Sequence, residues 1–196
     1  MLSEVFILAG GKSSRMGKDK GLVLLNNIPV IQHIINEVKK LDLNINIITD
    51  NHSYNTFGCK CIKDIIPGQG PLGGLYTAMC YTTAEYILLL SCDMPFVTYR
   101  VFERLINRCR TTHDEIIACR NEDNLYPFPA FYHVSLKEKV KHHLDHHKLK
   151  MQKFIQECST TKVDVSDMIK EDTCLFSNLN TPSDIKNAER KWKQKK

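Results

Sequence analysis

The chain has 196 residues, 42% hydrophobic and 25% charged, with nine glycines, seven prolines and a formal net charge of +5. That is enough for one well-buried domain, expected to span 1–196, and far too little Gly and Pro for a collagen-like or low-complexity chain. No apolar run approaches the ~20 residues needed to cross a bilayer, so a transmembrane protein is excluded.

Val5-Phe6-Ile7-Leu8-Ala9 is a compact aliphatic run ending at Gly10-Gly11 and reads as a buried strand feeding a turn. It is too short for a signal-peptide core, and the expected compartment is the cytoplasm. Pro29 opens a segment with apolar residues at 30, 31, 34, 35, 38 and 41, the spacing of an amphipathic helix. Ile45 to Ile48 and Cys61-Ile62 are short strands. Leu72 to Ala84 is helical after the punctuated loop Pro67-Gly68-Gln69-Gly70-Pro71. Tyr86 to Ser91 is the most apolar stretch and reads as a central parallel strand covered on both faces. A helix carrying Val101, Phe102, Leu105, Ile106 and Cys109 follows, then a strand at Ile116 to Cys119.

Strands alternating with helices over the first 120 residues indicate βαβ units and a parallel sheet, hence an α/β fold. Beyond that point, Tyr126 to His133 contains Pro127 and Pro129, which suits an edge strand. Helical segments fill His133 to Cys158, and Cys174-Leu175-Phe176 resembles a late strand. Thr181-Pro182-Ser183-Asp184 starts a helix, with a Thr cap and a carboxylate three residues on. The basic residues of Arg190 to Lys196 suit a solvated helix end rather than a nucleic-acid contact. His142, His143, His146 and His147 flank a buried face set by Val140 and Leu144 and are expected to be solvated. The eight cysteines include no CxxC pair and lie mostly in apolar stretches, as reduced thiols would.

The densest chemical signal runs from Leu8 to Lys20, as Leu-Ala-Gly-Gly-Lys-Ser-Ser-Arg-Met-Gly-Lys-Asp-Lys. Adjacent glycines admit a ligand close to the backbone, loop amides and the hydroxyls of Ser13 and Ser14 can donate to phosphate oxygens, and Arg15 and Lys20 bring positive charge. The spacing fits neither a Walker A loop nor the G-x-G-x-x-G fingerprint. Ser91-Cys92-Asp93-Met94-Pro95 places a carboxylate at the C-terminal rim of the most buried strand, where one or two carboxylates plus substrate phosphates suffice for magnesium. Asp64 with Gly70-Pro71-Leu72-Gly73-Gly74, and Asn178-Leu179-Asn180-Thr181-Pro182, add further rim elements. Asn180 is open between a metal or substrate contact and a simple cap.

In this order the motifs resemble the molybdenum cofactor guanylyltransferases of the nucleotidyltransferase superfamily, over nearly the whole chain. The resemblance implies a Rossmann-like three-layer nucleotidyltransferase fold with a mostly parallel central sheet, binding GTP and Mg2+. It implies nucleotide contacts at Leu8, Ala9, Gly10, Lys20, Asp64 and Asp93, a magnesium ligand at Asp93, and catalytic roles for Arg15, Lys20 and Asp93. The implied reaction transfers GMP from GTP to molybdopterin with release of pyrophosphate, and protein partners that deliver the cofactor are an open expectation. The attacking phosphate oxygen is already anionic, so charge neutralisation and in-line positioning would carry the chemistry. Competing readings are a cytidylyl- or sugar-phosphate nucleotidyltransferase, or a non-catalytic nucleotide- or RNA-binding module.

Overall fold

The computed structural model describes residues 4–10, 19–122 and 124–194. The chain begins with β1 (Glu4–Leu8), a single 3-10 turn (Lys20–Leu22), a short hairpin of β2 (Leu24–Leu25) and β3 (Ile28–Pro29), and α1 (Val30–Val38). It continues through β4 (Asn44–Ile48), β5 (Lys60–Ile62), α2 (Gly70–Tyr81), β6 (Tyr86–Ser91) and α3 (Tyr99–Cys109). β7 (Ile116–Asn121), β8 (Asn124–His133), α4 (Lys137–Asp145) and α5 (Met151–Gln156) precede β9 (Thr160–Asp164), α6 (Ser166–Glu171) and α7 (Pro182–Gln194).

Seven strands form one sheet in the order β5-β4-β1-β6-β8-β7-β9. Every neighbouring pair is parallel except the two made by β8. One core cluster joins the α1 residues Ile31, Ile34 and Ile35 and the α3 residues Val101, Phe102 and Leu105 to one face of the sheet. A second joins Leu72 and Leu75 of α2, Val140 and Leu144 of α4 and Phe154 of α5 to the other. Helices on both faces make the three layers of an α/β fold, and β6, with Ile87, Leu88 and Leu89 fully buried, is its centre. No described helix is long and apolar enough to cross a membrane.

The structure corrects three expectations. β8 is internal, not an edge strand: β6 pairs with Ala130–His133, and β7 pairs with 130–132 and then, after a register shift, with Leu125 and Asn124. Residues 126–129 stand opposite Cys119 alone, so both prolines fall in a bulge where neither ladder asks for their missing N–H. Cys174–Phe176 is a turn, and the seventh strand is β9, whose buried positions are only Thr161 and Val163. His143 is buried rather than solvated, with Nε2 3.0 Å from Glu157 Oε2 and its ring edge-on to Phe154, whereas His142, His146 and His147 are exposed. All eight cysteines are free thiols.

Candidate active site

A cleft of about 530 Å³ opens where the parallel strands end. Leu8, Ala9 and Gly10 come from the end of β1, Ile48 from the end of β4, and Ser91, Cys92 and Asp93 from the end of β6. Asp64 enters just beyond β5, Gly70, Pro71 and Gly74 from the first turns of α2, and Asp19 and Lys20 from the start of the 3-10 turn. Strand rims bind ligands in open α/β sheets because the loops leaving them diverge there. The ladder continues one rung past β1, with Ala9 N donating to Ile48 O at 2.9 Å and Cys92 N to Leu8 O at 3.0 Å. The floor is therefore held in the sheet's hydrogen-bond ladder through Ala9.

Six of the seven expected site residues meet in this cleft: Leu8, Ala9, Gly10, Lys20, Asp64 and Asp93. Arg15 lies outside the described residues, as do Ser13 and Ser14. Lys20 Nζ donates to Asn180 Oδ1 at 2.5 Å and stands 3.7 Å from Asp93 Oδ2. The other oxygen of Asp93 accepts the Ser91 hydroxyl at 2.6 Å. Leu179 N donates to Asp93 O at 2.9 Å, which ties the late Asn178-Leu179-Asn180 segment to the rim of β6. The Asn180 side chain meets the Lys20 ammonium, while its backbone N–H donates to Asp184 Oδ2 at 2.9 Å in the cap of α7.

Asp64 has its Oδ1 3.2 Å from the Thr77 hydroxyl, which donates to it. Burial pushes the Asp64 carboxyl above the usual carboxylate range; the Thr77 hydrogen bond works against that shift, and nearby Asp50 adds to it. A Cβ on Gly10 would meet Asp64 Oδ2 at an ordinary 3.8 Å. Packing does not demand that glycine, so what it provides is open floor beside the carboxylate. The α2 glycines differ. A Cβ at Gly73 would come within 2.8 Å of Gln69 Cβ and one at Gly74 within 2.5 Å of Leu8 Cδ2, so both serve the packing of α2, and Gly74 alone also borders the cleft. Gly68 and Gly70 hold left-handed φ of +78° and +61°, which shapes the loop leading into α2. Cys92 is inert as a nucleophile: burial, then the charges of Asp93 and Asp19, push its thiol far up.

The lining also includes side chains that the motifs do not mark as site residues. Phe128 reaches the cleft from the β8 bulge, and Asp19 closes it beside Lys20. Asp19 was visible within the first motif, but nothing local distinguished its role. Among the described residues no group of three His, Cys, Asp or Glu side chains could enclose a metal by itself. The oxygens that meet at the Lys20 ammonium, Asn180 Oδ1 and Asp93 Oδ2, are a hard pair suited to magnesium shared with phosphates. The Lys20 ammonium between Asn180 Oδ1 and Asp93 Oδ2 shows that this corner accommodates positive charge.

A model of a family described as a MobA-like NTP transferase domain matches residues 5–162. A molybdenum cofactor guanylyltransferase of Yersinia pestis is 35% identical over 195 residues, covering 97% of this chain and 94% of its own length. Another, from Haemophilus influenzae, is 33% identical over 184 residues, covering 92% and 94%. The crystal structure of molybdopterin-guanine dinucleotide biosynthesis protein A from Archaeoglobus fulgidus superposes with a TM-score of 0.82 at 21% identity, over 97% of this chain and 99% of that one. At that identity the superposition speaks for the fold.

Proposed function

The chain belongs to the MobA-like NTP transferase family, and we propose that it transfers GMP from GTP to molybdopterin, forming the guanine dinucleotide and pyrophosphate. The observation that carries this reading is the convergence of Lys20, Asp93 and Asn180 at one end of a cleft whose floor is the bare backbone of Ala9 and Gly10. That end suits phosphates, since a mobile ammonium neutralises charge that grows as the bond to pyrophosphate breaks. The far end, with Asp64 and the glycine loop, suits the nucleoside. An acceptor-only carboxylate there fits the N–H donors of a guanine edge or the hydroxyls of a ribose.

Asp93, with Asn180 beside it, would hold magnesium, whose chemistry is to polarise phosphate oxygens and orient the pyrophosphate. Ser91 keeps the Asp93 carboxylate turned so that Oδ2 faces the cleft. Lys20 draws the α- and β-phosphates toward that carboxylate, and Arg15 is assigned to the phosphates by its place in the first motif. No side-chain nucleophile is required, which agrees with the inert Cys92. The apolar wall of buried Ile48 and partly buried Leu8 and Phe128 limits the water that competes with the acceptor phosphate.

The test is formation of the dinucleotide from GTP, magnesium and molybdopterin by the purified protein, followed by chromatography. Asp93→Asn, which keeps the shape and the Ser91 partner, is expected to lose about 10²–10³ in kcat with the fold retained, the scale of one charge-stabilising group. CTP consumed as readily as GTP, or Asp93→Asn turning over like the wild type, would refute the assignment.

A further inference from the structure

Behind Lys20 lies a partly buried polar relay reaching back to the end of β4. Tyr54 is fully buried in the core cluster beneath α1 and α3, yet its hydroxyl donates to Asp19 Oδ1. The same oxygen accepts Gly21 N at 3.2 Å, and Asp19 Oδ2 accepts Asn51 Nδ2 at 3.2 Å. Asn51 is itself fixed: its N–H donates to Thr49 Oγ1 at 3.1 Å, its side-chain oxygen accepts Ser53 N at 3.0 Å, and its carbonyl accepts Tyr54 N at 3.2 Å. Gly21 is what lets the phenol approach, since a Cβ there would stand 2.5 Å from the Tyr54 oxygen. Asp19 in turn caps the 3-10 turn that begins with Lys20.

We propose that Tyr54, supported by Asn51, is a positioning residue for the transfer reaction: through Asp19 it fixes the backbone from which Lys20 reaches the phosphate end of the cleft. The inference rests on the nucleotide reading of Lys20 given above. A lysine ammonium on a four-carbon stem is a poor stabiliser of charge unless something else fixes where the stem starts. Here the ordering is built before ligand arrives, by three donors converging on one carboxylate. Burial, then Cys92 and Asp19, push the phenol's ionisation far upward, so it stays a donor. A ring needed only to fill the core would not require its hydroxyl to meet the carboxylate that directly precedes Lys20 in the chain.

Tyr54→Phe keeps the ring and deletes the hydrogen bond. In a cycle with Lys20→Ala, GTP affinity is read by calorimetry, kcat and KM by dinucleotide formation, and folding by thermal melts. Tyr54→Phe alone is expected to weaken GTP binding about tenfold, the scale of a hydrogen bond to a charged group, and to lower kcat. In the Lys20→Ala background the same change is expected to cost little further, because the group it positions is gone. Asn51→Ala, at a half-buried site, should repeat the pattern more weakly and carries the test if Tyr54→Phe fails to fold. Unchanged GTP affinity in Tyr54→Phe, or penalties that add in full with Lys20→Ala, would overturn the positioning role while leaving the nucleotide reading intact. Lys20→Ala binding GTP like the wild type would overturn that reading instead, and the inference with it.

Discussion

Gly74→Ala tests how closely the floor of the cleft is set against α2. The added Cβ would lie 2.5 Å from Leu8 Cδ2 and 3.5 Å from Leu8 Cδ1 and Cγ, so one contact falls 0.9 Å inside the 3.4 Å at which ordinary contact begins. The Leu8 backbone has nowhere to go, being paired with Ile48 on one side and Ser91 on the other. The strain must be relieved by α2 backing away or by the Leu8 side chain turning into the cleft it lines. Alanine in place of a helical glycine gains about 1 kcal/mol in propensity, and overpacking a tight contact costs about 1–3 kcal/mol. The net is a loss of roughly 0–2 kcal/mol, a modest effect on urea unfolding. Nucleotide affinity is the sharper readout: a displaced leucine occupies ligand space, and calorimetry should find GTP bound about tenfold more weakly, ~1.4 kcal/mol. Leu8→Ala in the same chain removes the colliding methyls, so the two substitutions should be non-additive by at least ~0.5 kcal/mol. A Gly74→Ala protein about 1 kcal/mol more stable than the wild type, with GTP affinity unchanged, would show that Leu8 yields freely and that the glycine shapes nothing.

Asp64→Asn is expected to raise Tm while weakening GTP binding, because burial penalises the native carboxylate and the amide keeps an acceptor for Thr77. A carboxyl whose ionisation is raised by folding binds protons more readily folded than unfolded, so the wild type loses stability as pH rises; the Asn advantage should be full at pH 7 and shrink toward about pH 3 in melts at both. Asp184→Ala removes the acceptor for Asn180 N at 2.9 Å and Thr181 N at 2.8 Å, and should cost about 1 kcal/mol in denaturant unfolding. It should also slow transfer although Asp184 does not line the cleft, because Asn180 loses its backbone anchor. Arg104→Gln deletes the fork that grips Asp167 at 2.6 and 2.7 Å and holds that carboxyl at about 2. A depressed carboxyl stabilises above the ordinary carboxylate range and stops doing so as pH falls through about 2. The exposed pair should therefore be worth no more than ~1 kcal/mol at pH 7, with mutant and wild-type melts converging near pH 2.

What could be read along the chain follows from whether a residue's burial shows in its neighbours. β1, β6, α1 and α3 bury contiguous or periodic apolar sets, and their positions match the patterns in the sequence. The start of α7 was legible because both halves of its cap lie within four residues: Asp184 N donates to Thr181 Oγ1 at 3.2 Å while the Asp184 carboxylate accepts back. β9 was not legible, since a strand that buries only Thr161 and Val163 looks like any polar stretch. β8 looked like an edge strand for a sound local reason that the bulge opposite Cys119 makes irrelevant. No composition rule reveals that a register shift will arrive where the prolines are.

The site divides along the same line. Gly10, Lys20, Asp64 and Asp93 stood out because each marks the end of a strand or a phosphate-suited loop, a property of a few consecutive residues. Their partners did not. Lys20 meets Asn180 across 160 positions and Asp19 meets Tyr54 across 35, so each pairing exists only after the sheet has set β1, β4 and β6 side by side. A buried tyrosine on a 3-10 turn is an unremarkable core residue until its hydroxyl is found against the carboxylate beside the lysine. Strand ends bring reactive groups to one rim, and the groups that hold them still are recruited from whatever the fold places beneath. Local motifs therefore announce the chemistry, while the residues that set its geometry lie at no fixed spacing from it.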